Sequence, residues 1–195
     1  MKRLFALAAI ALFAFSHTTE LPIGSPLPTP DVPLRDISGK MVTLQSAMQE
    51  AGLLVMFSCN TCPYVLKNTD RTAAIAKYAL DNKVGVILVN SNTAQRSSED
   101  AYEAMQAFGR KMQYNWHYVV DDGAVVDAFD AKKTPECFLF DKNKKLVYHG
   151  AIDDSPADEA KVSREHLRTA IDEMRNGRAV SVTTSRSVGC SIKRG

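Results

Sequence analysis

The chain has almost no charge of one sign to spare. Lys and Arg number 24 and Asp and Glu 22 among 195 residues. So even a balance offers no basic surface to neutralise a phosphate backbone, and nucleic acid is not expected as a partner. Long apolar runs are also missing after residue 16. No later segment is fitted to span a bilayer, which takes roughly 20 consecutive apolar residues. There is no internal repeat, no low-complexity block and no linker that would mark a second domain. The 45% hydrophobic and 24% charged residues suit one ordinary globular domain with its own core. A second C-x-x-C is absent, and so is any C-x-x-H. Cys137 and Cys190 stand alone, and His117 and His149 have no partner at ligand spacing. A structural zinc needs four ligands, so no metal is expected, and no other cofactor either.

What is present begins at the N-terminus. Lys2 and Arg3 precede an apolar run from Leu4 to Phe15, and Ala14-Phe15-Ser16 places small residues at alternate positions. This pattern predicts a secretory signal over residues 1–16, too short for a lasting anchor. Its removal takes Lys2 and Arg3 and leaves the two signs of charge in balance. The domain of residues 17–195 is then expected in the periplasm or outside the cell, with no stable membrane insertion. Disulfides persist in such compartments. Four cysteines allow three pairings, and sequence favours only the adjacent one.

That adjacent pair is Cys59-Asn60-Thr61-Cys62, which follows the apolar run Leu53 to Phe57 and leads into Pro63. Thiols three residues apart at a helix start share a face and can close a small ring. Unpaired N–H groups and the helix dipole stabilise a thiolate there. The pair reads as a reversible thiol–disulfide centre. A permanent bridge is disfavoured because so small a loop stabilises little. Cys59, at the exposed start of the helix, is expected to attack, and Cys62, one turn inside, to resolve. Asn60 and Thr61 are expected to tune the thiolate, and Pro63 fits the first turn.

The remaining elements are legible as a sequence of apolar runs and turns. Residues 17–35 are a proline-bearing lead-in, and Asp36 to Lys40 turns a hairpin between Val32-Pro33-Leu34 and Met41 to Leu44. Residues 52–57 read as a buried strand and 62–81 as a helix. Val84 to Val89 is a second strand, apolar on both faces like a parallel one. A helix capped by Ser97 or Ser98 runs to about Met112. His117 to Val120 is a short strand and Gly123 to Phe129 a short helix. Glu136 to Phe140 and Leu146 to His149 form a hairpin. Pro156 to Asn176 is a long helix stopped by Gly177, and an irregular tail follows from about residue 178. A parallel crossover followed by an antiparallel hairpin predicts an α/β, thioredoxin-like fold, its central mixed sheet flanked by helices and extended by the N-terminal hairpin.

In that fold, Thr134-Pro135 opens a strand facing the dithiol. A cis proline there presents the backbone of Thr134 to an extended peptide, so both residues are substrate-platform candidates. Glu136 is the nearest candidate proton acceptor. Cys137 reads as a buried core thiol. Cys190, in the tail, stands as a free thiol, a partner for Cys137 or a third redox group.

The pattern resembles the thioredoxin-like redoxins of the alkyl hydroperoxide reductase/thiol-specific antioxidant superfamily, in their peroxiredoxin-like branch. The resemblance rests on Ile23-Gly24-Ser25-Pro26, Asp36 to Lys40, Cys59 to Val65, Val89 to Asn92, Thr134-Pro135-Glu136, Tyr148 to Asp154 and Gly189 to Lys193. It implies a redox role for Cys59 and Cys62. Thr61 stands where the family usually has histidine. Peroxiredoxins resemble P-x-x-x-T-x-x-C, and overlaying that pattern puts Cys62 on the attacking cysteine, Cys59 on the threonine and Val55 on the proline. Both supporting residues differ. The expectation is therefore an exported thiol–disulfide oxidoreductase acting on protein or small-molecule substrates with an unidentified redox partner. A thiol peroxidase reducing hydroperoxides is the alternative, and a binding module with a fixed bridge is a third reading.

Overall fold

The computed structural model describes residues 20–195. The expected signal, residues 1–16, lies outside them. Among the described residues no helix is long and apolar enough to cross a membrane.

The sheet is built on strands apolar on both faces. Strand β1 (Leu34–Asp36) pairs antiparallel with β2 (Met41–Val42), and helix α1 (Leu44–Ala47) follows. The central strands are β3 (Gly52–Phe57) and β4 (Val84–Asn90), every residue of which is buried. They run side by side, tied where Ala51 N–H donates to the Lys83 carbonyl at 2.8 Å and Ser58 N–H to that of Val89 at 2.9 Å. Between them lie α2 (Pro63–Lys67) and α3 (Thr69–Asp81). Helix α4 (Tyr102–Lys111) leads to β5 (His117–Val120), which pairs parallel with β4 and antiparallel with β1. After α5 (Ala124–Phe129) and the short β6 (Lys133–Thr134), strand β7 (Glu136–Asp141) pairs antiparallel with β3 and with β8 (Leu146–Gly150). Helix α6 (His166–Arg175) and strand β9 (Cys190–Ser191) complete the chain. This is the expected thioredoxin-like mixed sheet, with the N-terminal hairpin added along β5.

Alternation along the strands feeds two cores. Leu53, Val55 and Phe57 of β3, with Phe138 and Phe140 of β7, pack against Leu44 of α1 and Val125, Val126 and Phe129 of α5. Leu54, Met56 and Leu139 point the other way, onto Ile75 and Ala79 of α3, Met105 of α4 and Leu167 and Ile171 of α6. Phe57, Phe129 and Phe138 meet edge to face, with centroids 5.1 to 5.7 Å apart. Each such side chain contributes about 1.5–3 kcal/mol on burial, so strands covered on both faces need helices on both sides.

Five elements depart from the sequence reading; the second hairpin strand stops at Val42 because Thr43 caps α1 and Leu44 opens it. The helix expected over 62–81 is broken at Asn68, whose Nδ2 donates to the carbonyls of Tyr64 at 2.7 Å and Pro156 at 2.8 Å. An asparagine side chain that bonds nearby carbonyls competes with the helix ladder. Helix α4 starts at Tyr102, not at a serine cap, because residues 93–100 wind tightly around buried Asp100. The helix expected from Pro156 begins only at His166: Asp154 instead accepts from the amides of Ser163 at 2.9 Å and Arg164 at 3.1 Å, which holds the approach as a loop. Finally, the tail is fastened down. Ser181 N–H donates to Glu173 at 2.7 Å, His149 and the 183–185 segment exchange backbone bonds at 2.9 and 3.0 Å, and β9 pairs with β6.

Candidate active site

Strand β3 ends at Phe57, and its continuation carries Cys59 to the sheet's edge. The helix does not begin at Cys59. Cys62 is the N-cap of α2, with Pro63 in the first turn. Cys59 therefore precedes the helix, and it is not exposed: Cys59 is 2% and Cys62 4% accessible. All four cysteines are free thiols.

The fold brings Thr134 and Pro135 onto this pair. Their peptide bond is cis. Cys59 Sγ lies 3.5 Å from Thr134 Oγ1, and the Cys62 thiol donates to the Thr134 carbonyl at 3.2 Å. Cys190 packs against the cluster of Cys59, Cys62 and Val65, opposite Thr134 in the β6–β9 register. A cavity of about 180 Å³ opens on Cys59, Cys62 and Pro63, with Asn92, Cys190 and Lys193 on its wall.

The loop between the cysteines is anchored by a residue that the sequence reading passed over. Asp100 is fully buried. Its carboxylate accepts from the Asn60 amide at 2.9 Å, from Asn90 Nδ2 at 2.8 Å and from Asn92 Nδ2 at 2.8 Å. Asn60 also donates through Nδ2 to the Glu99 carbonyl at 2.8 Å and accepts from the Tyr118 hydroxyl at 2.9 Å. Asn60 thus fixes the loop, while Thr61 is exposed to solvent. Within Arg96-Ser97-Ser98-Glu99-Asp100 an acid looks like a solvated turn residue. The one available signal was the asparagines at 90 and 92, directly after a wholly apolar strand.

Glu136 does not bond to either thiol. One oxygen accepts from the amides of Lys132 at 2.7 Å and Lys133 at 2.9 Å, and the other meets His149 Nε2 at 2.8 Å. It braces the turn that delivers Thr134. Cys137 is fully buried on β7, and burial pushes its thiol pKa up.

The pKa values of the two site thiols are pushed in opposite directions. A hydrogen bond from the Cys59 thiol, with further help from the Cys190 thiol and from the Val65 and Cys190 backbone N–H groups, lowers Cys62 from 9.0 to about 4. Cys59 is pushed up, first by giving that hydrogen bond, then by burial, with the Asp100 charge adding to it. The Thr134 carbonyl, which accepts from the Cys62 thiol, favours the protonated form and so works against the donors that lower it. These shifts run in the direction of a thiolate on Cys62, whereas the sequence places the attacking thiolate on Cys59.

A strand–helix–strand frame with one thiol at the helix N-cap and a second packed beside it from the preceding loop defines a thioredoxin-like redoxin, an oxidoreductase. Residues 23–149 match the AhpC/TSA family, and the chain belongs to it. It is similar in structure to an uncharacterized conserved protein of Geobacillus kaustophilus, at 32% identity and a TM-score of 0.83, covering 90% of this chain and 93% of that one. The thioredoxin domain of a thiol-disulfide oxidoreductase of Bacteroides vulgatus shares the fold at 19% identity and a TM-score of 0.56, covering 67% and 89%. Peroxiredoxin Q of Xanthomonas campestris shares it at 18% identity and a TM-score of 0.56, covering 81% and 98%. No curated protein matches the chain.

Proposed function

We propose that this chain is an exported thiol–disulfide oxidoreductase whose working couple is Cys59 and Cys62. Export is supported by the charged and apolar pattern of residues 1–16. The observation that carries the chemistry is the N-cap position of Cys62 packed beside Cys59, with both sulfurs against Thr134.

The Cys62 thiolate attacks one sulfur of a substrate disulfide, and the other sulfur leaves as a thiolate that takes a proton from water. The result is a mixed disulfide on Cys62. Cys59 then loses its proton and attacks the Cys62 sulfur, expelling the second substrate thiolate and closing the Cys59–Cys62 bridge. The substrate has gained two electrons and the enzyme has lost two. An external dithiol, the redox partner, restores them. Thr134, which touches both sulfurs, and Pro135 are the proposed platform for an extended protein substrate or a small disulfide.

The test is a Cys59→Ser/Cys190→Ser double variant, which keeps Cys62 without a neighbouring thiol able to resolve it. Incubated with oxidised glutathione, it should accumulate a stable mixed disulfide at Cys62 by intact-mass spectrometry. Absence of that adduct at neutral pH sinks the assignment.

A peroxidase reading is favoured by one observation, the thiolate at the helix start followed by proline, where the peroxiredoxin pattern puts its attacking cysteine. Hydrogen peroxide would then oxidise Cys62 to a sulfenic acid, with water as the second product. Val55 and Cys59 in place of proline and threonine weigh against it. Rapid, stoichiometric sulfenate formation on mixing with peroxide would reverse that ranking.

A further inference from the structure

The edge of β6 is occupied by the chain itself. An extended peptide binds a sheet edge by adding a strand, with main-chain bonds for affinity and alternate side chains for specificity. Here β9 adds to β6 in antiparallel register, Cys190 opposite Thr134 and Ser191 opposite Lys133. Ile192 N–H extends the ladder to the Lys132 carbonyl at 3.1 Å. Gly189 crosses so close to Thr134 that an added Cβ would sit 2.2 Å from its carbonyl oxygen, a passage open only to glycine. Beyond the strand, Lys193 N–H donates to Asn92 Oδ1 at 2.8 Å, the Lys193 carbonyl accepts from Ala94 N–H at 3.1 Å, and Arg194 pairs with Asp127 at 2.5 Å. This docking sets the Cys190 side chain against Cys62, in the wall of the cavity over the sulfurs.

We propose that Cys190 is a third redox thiol of this site, carried by β9 as a built-in substrate strand on β6 and positioned to exchange with the Cys59–Cys62 disulfide. The inference rests on the reading of Cys59 and Cys62 as a working couple. Once that bridge has formed, Cys190 loses its proton to water and attacks the Cys62 sulfur. The Cys62–Cys190 bond forms, the Cys59–Cys62 bond breaks, and Cys59 leaves as a thiolate that takes up a proton. No electrons enter or leave, so no further oxidant is required. The product ties the tail covalently across the edge, and the external dithiol must open a bond that reaches from helix start to C-terminus.

Disulfide mapping of the full chain tests this. Trypsin leaves Cys59 and Cys62 together on peptide 41–67 and Cys190 on peptide 187–193. Wild type, C59S and C62S are oxidised with oxidised glutathione, quenched in acid, alkylated and digested. The expected result is a cross-link between the two peptides in wild type and in C59S, none in C62S, and several-fold less alkylated Cys190 in the first two. If wild type closes the bridge within peptide 41–67 while Cys190 stays fully alkylated, and C59S shows only glutathione on Cys62, the relay is refuted and the proposed couple stands. If peptide 41–67 takes up neither a bridge nor glutathione in any variant, both fail together.

Discussion

At the residue scale, the site turns on which sulfur carries the charge. Cys62 sits at the helix start among donors, while Cys59 lies deeper and nearer Asp100. Removing the Cys59 donor must disfavour the charged form of Cys62 and raise its pKa. Cys59→Ala should therefore shift the loss of thiolate ultraviolet absorbance, expected near pH 4 in the intact protein, to clearly higher pH. The sign follows because a donor to the thiolate stabilises only the deprotonated state. A midpoint unmoved by the substitution would show that the helix start alone holds the charge.

At the element scale, close backbone approach decides more than side-chain identity. Helix α1 lies over β4 at Gly85, where an added Cβ would sit 1.9 Å from the Ala47 carbonyl oxygen. Both atoms belong to rigid backbone, so neither can turn aside. Gly85→Ala should cost about 1–3 kcal/mol in urea unfolding, as other overpacked sites do. An unchanged midpoint would mean that α1 moves freely. The strands themselves were legible, because β3, β4 and β7 are continuous apolar runs with clear turns at their ends. The helix boundaries were not. Asn68, Asp100 and Asp154 each end or delay a helix through bonds to residues elsewhere, and periodicity along one segment holds no trace of such partners.

At the scale of the whole molecule, Asp100 joins the cysteine loop, the end of β4 and, through Asn92 and Lys193, the C-terminal tail. Asp100→Asn turns one acceptor into a donor facing other donors. It should lose about 1–3 kcal/mol for the buried groups left unpaired. Calorimetry should show a lowered Tm, and the Cys190 thiol should alkylate faster as the tail loosens. A Tm and rate equal to wild type would remove Asp100 from the site's support.

The dithiol, the redoxin fold and the residue types at Thr134-Pro135 were determined by the sequence alone. The spacing of two thiols before a proline, and the alternation of apolar residues, are local properties that survive in a linear string. Tertiary structure decided that Asn60 and Glu136 brace loops, and that Cys190 packs on the cysteine pair. Most of these contacts join groups far apart in the chain, and only the packed sheet sets the distances on which hydrogen bonding and charge depend.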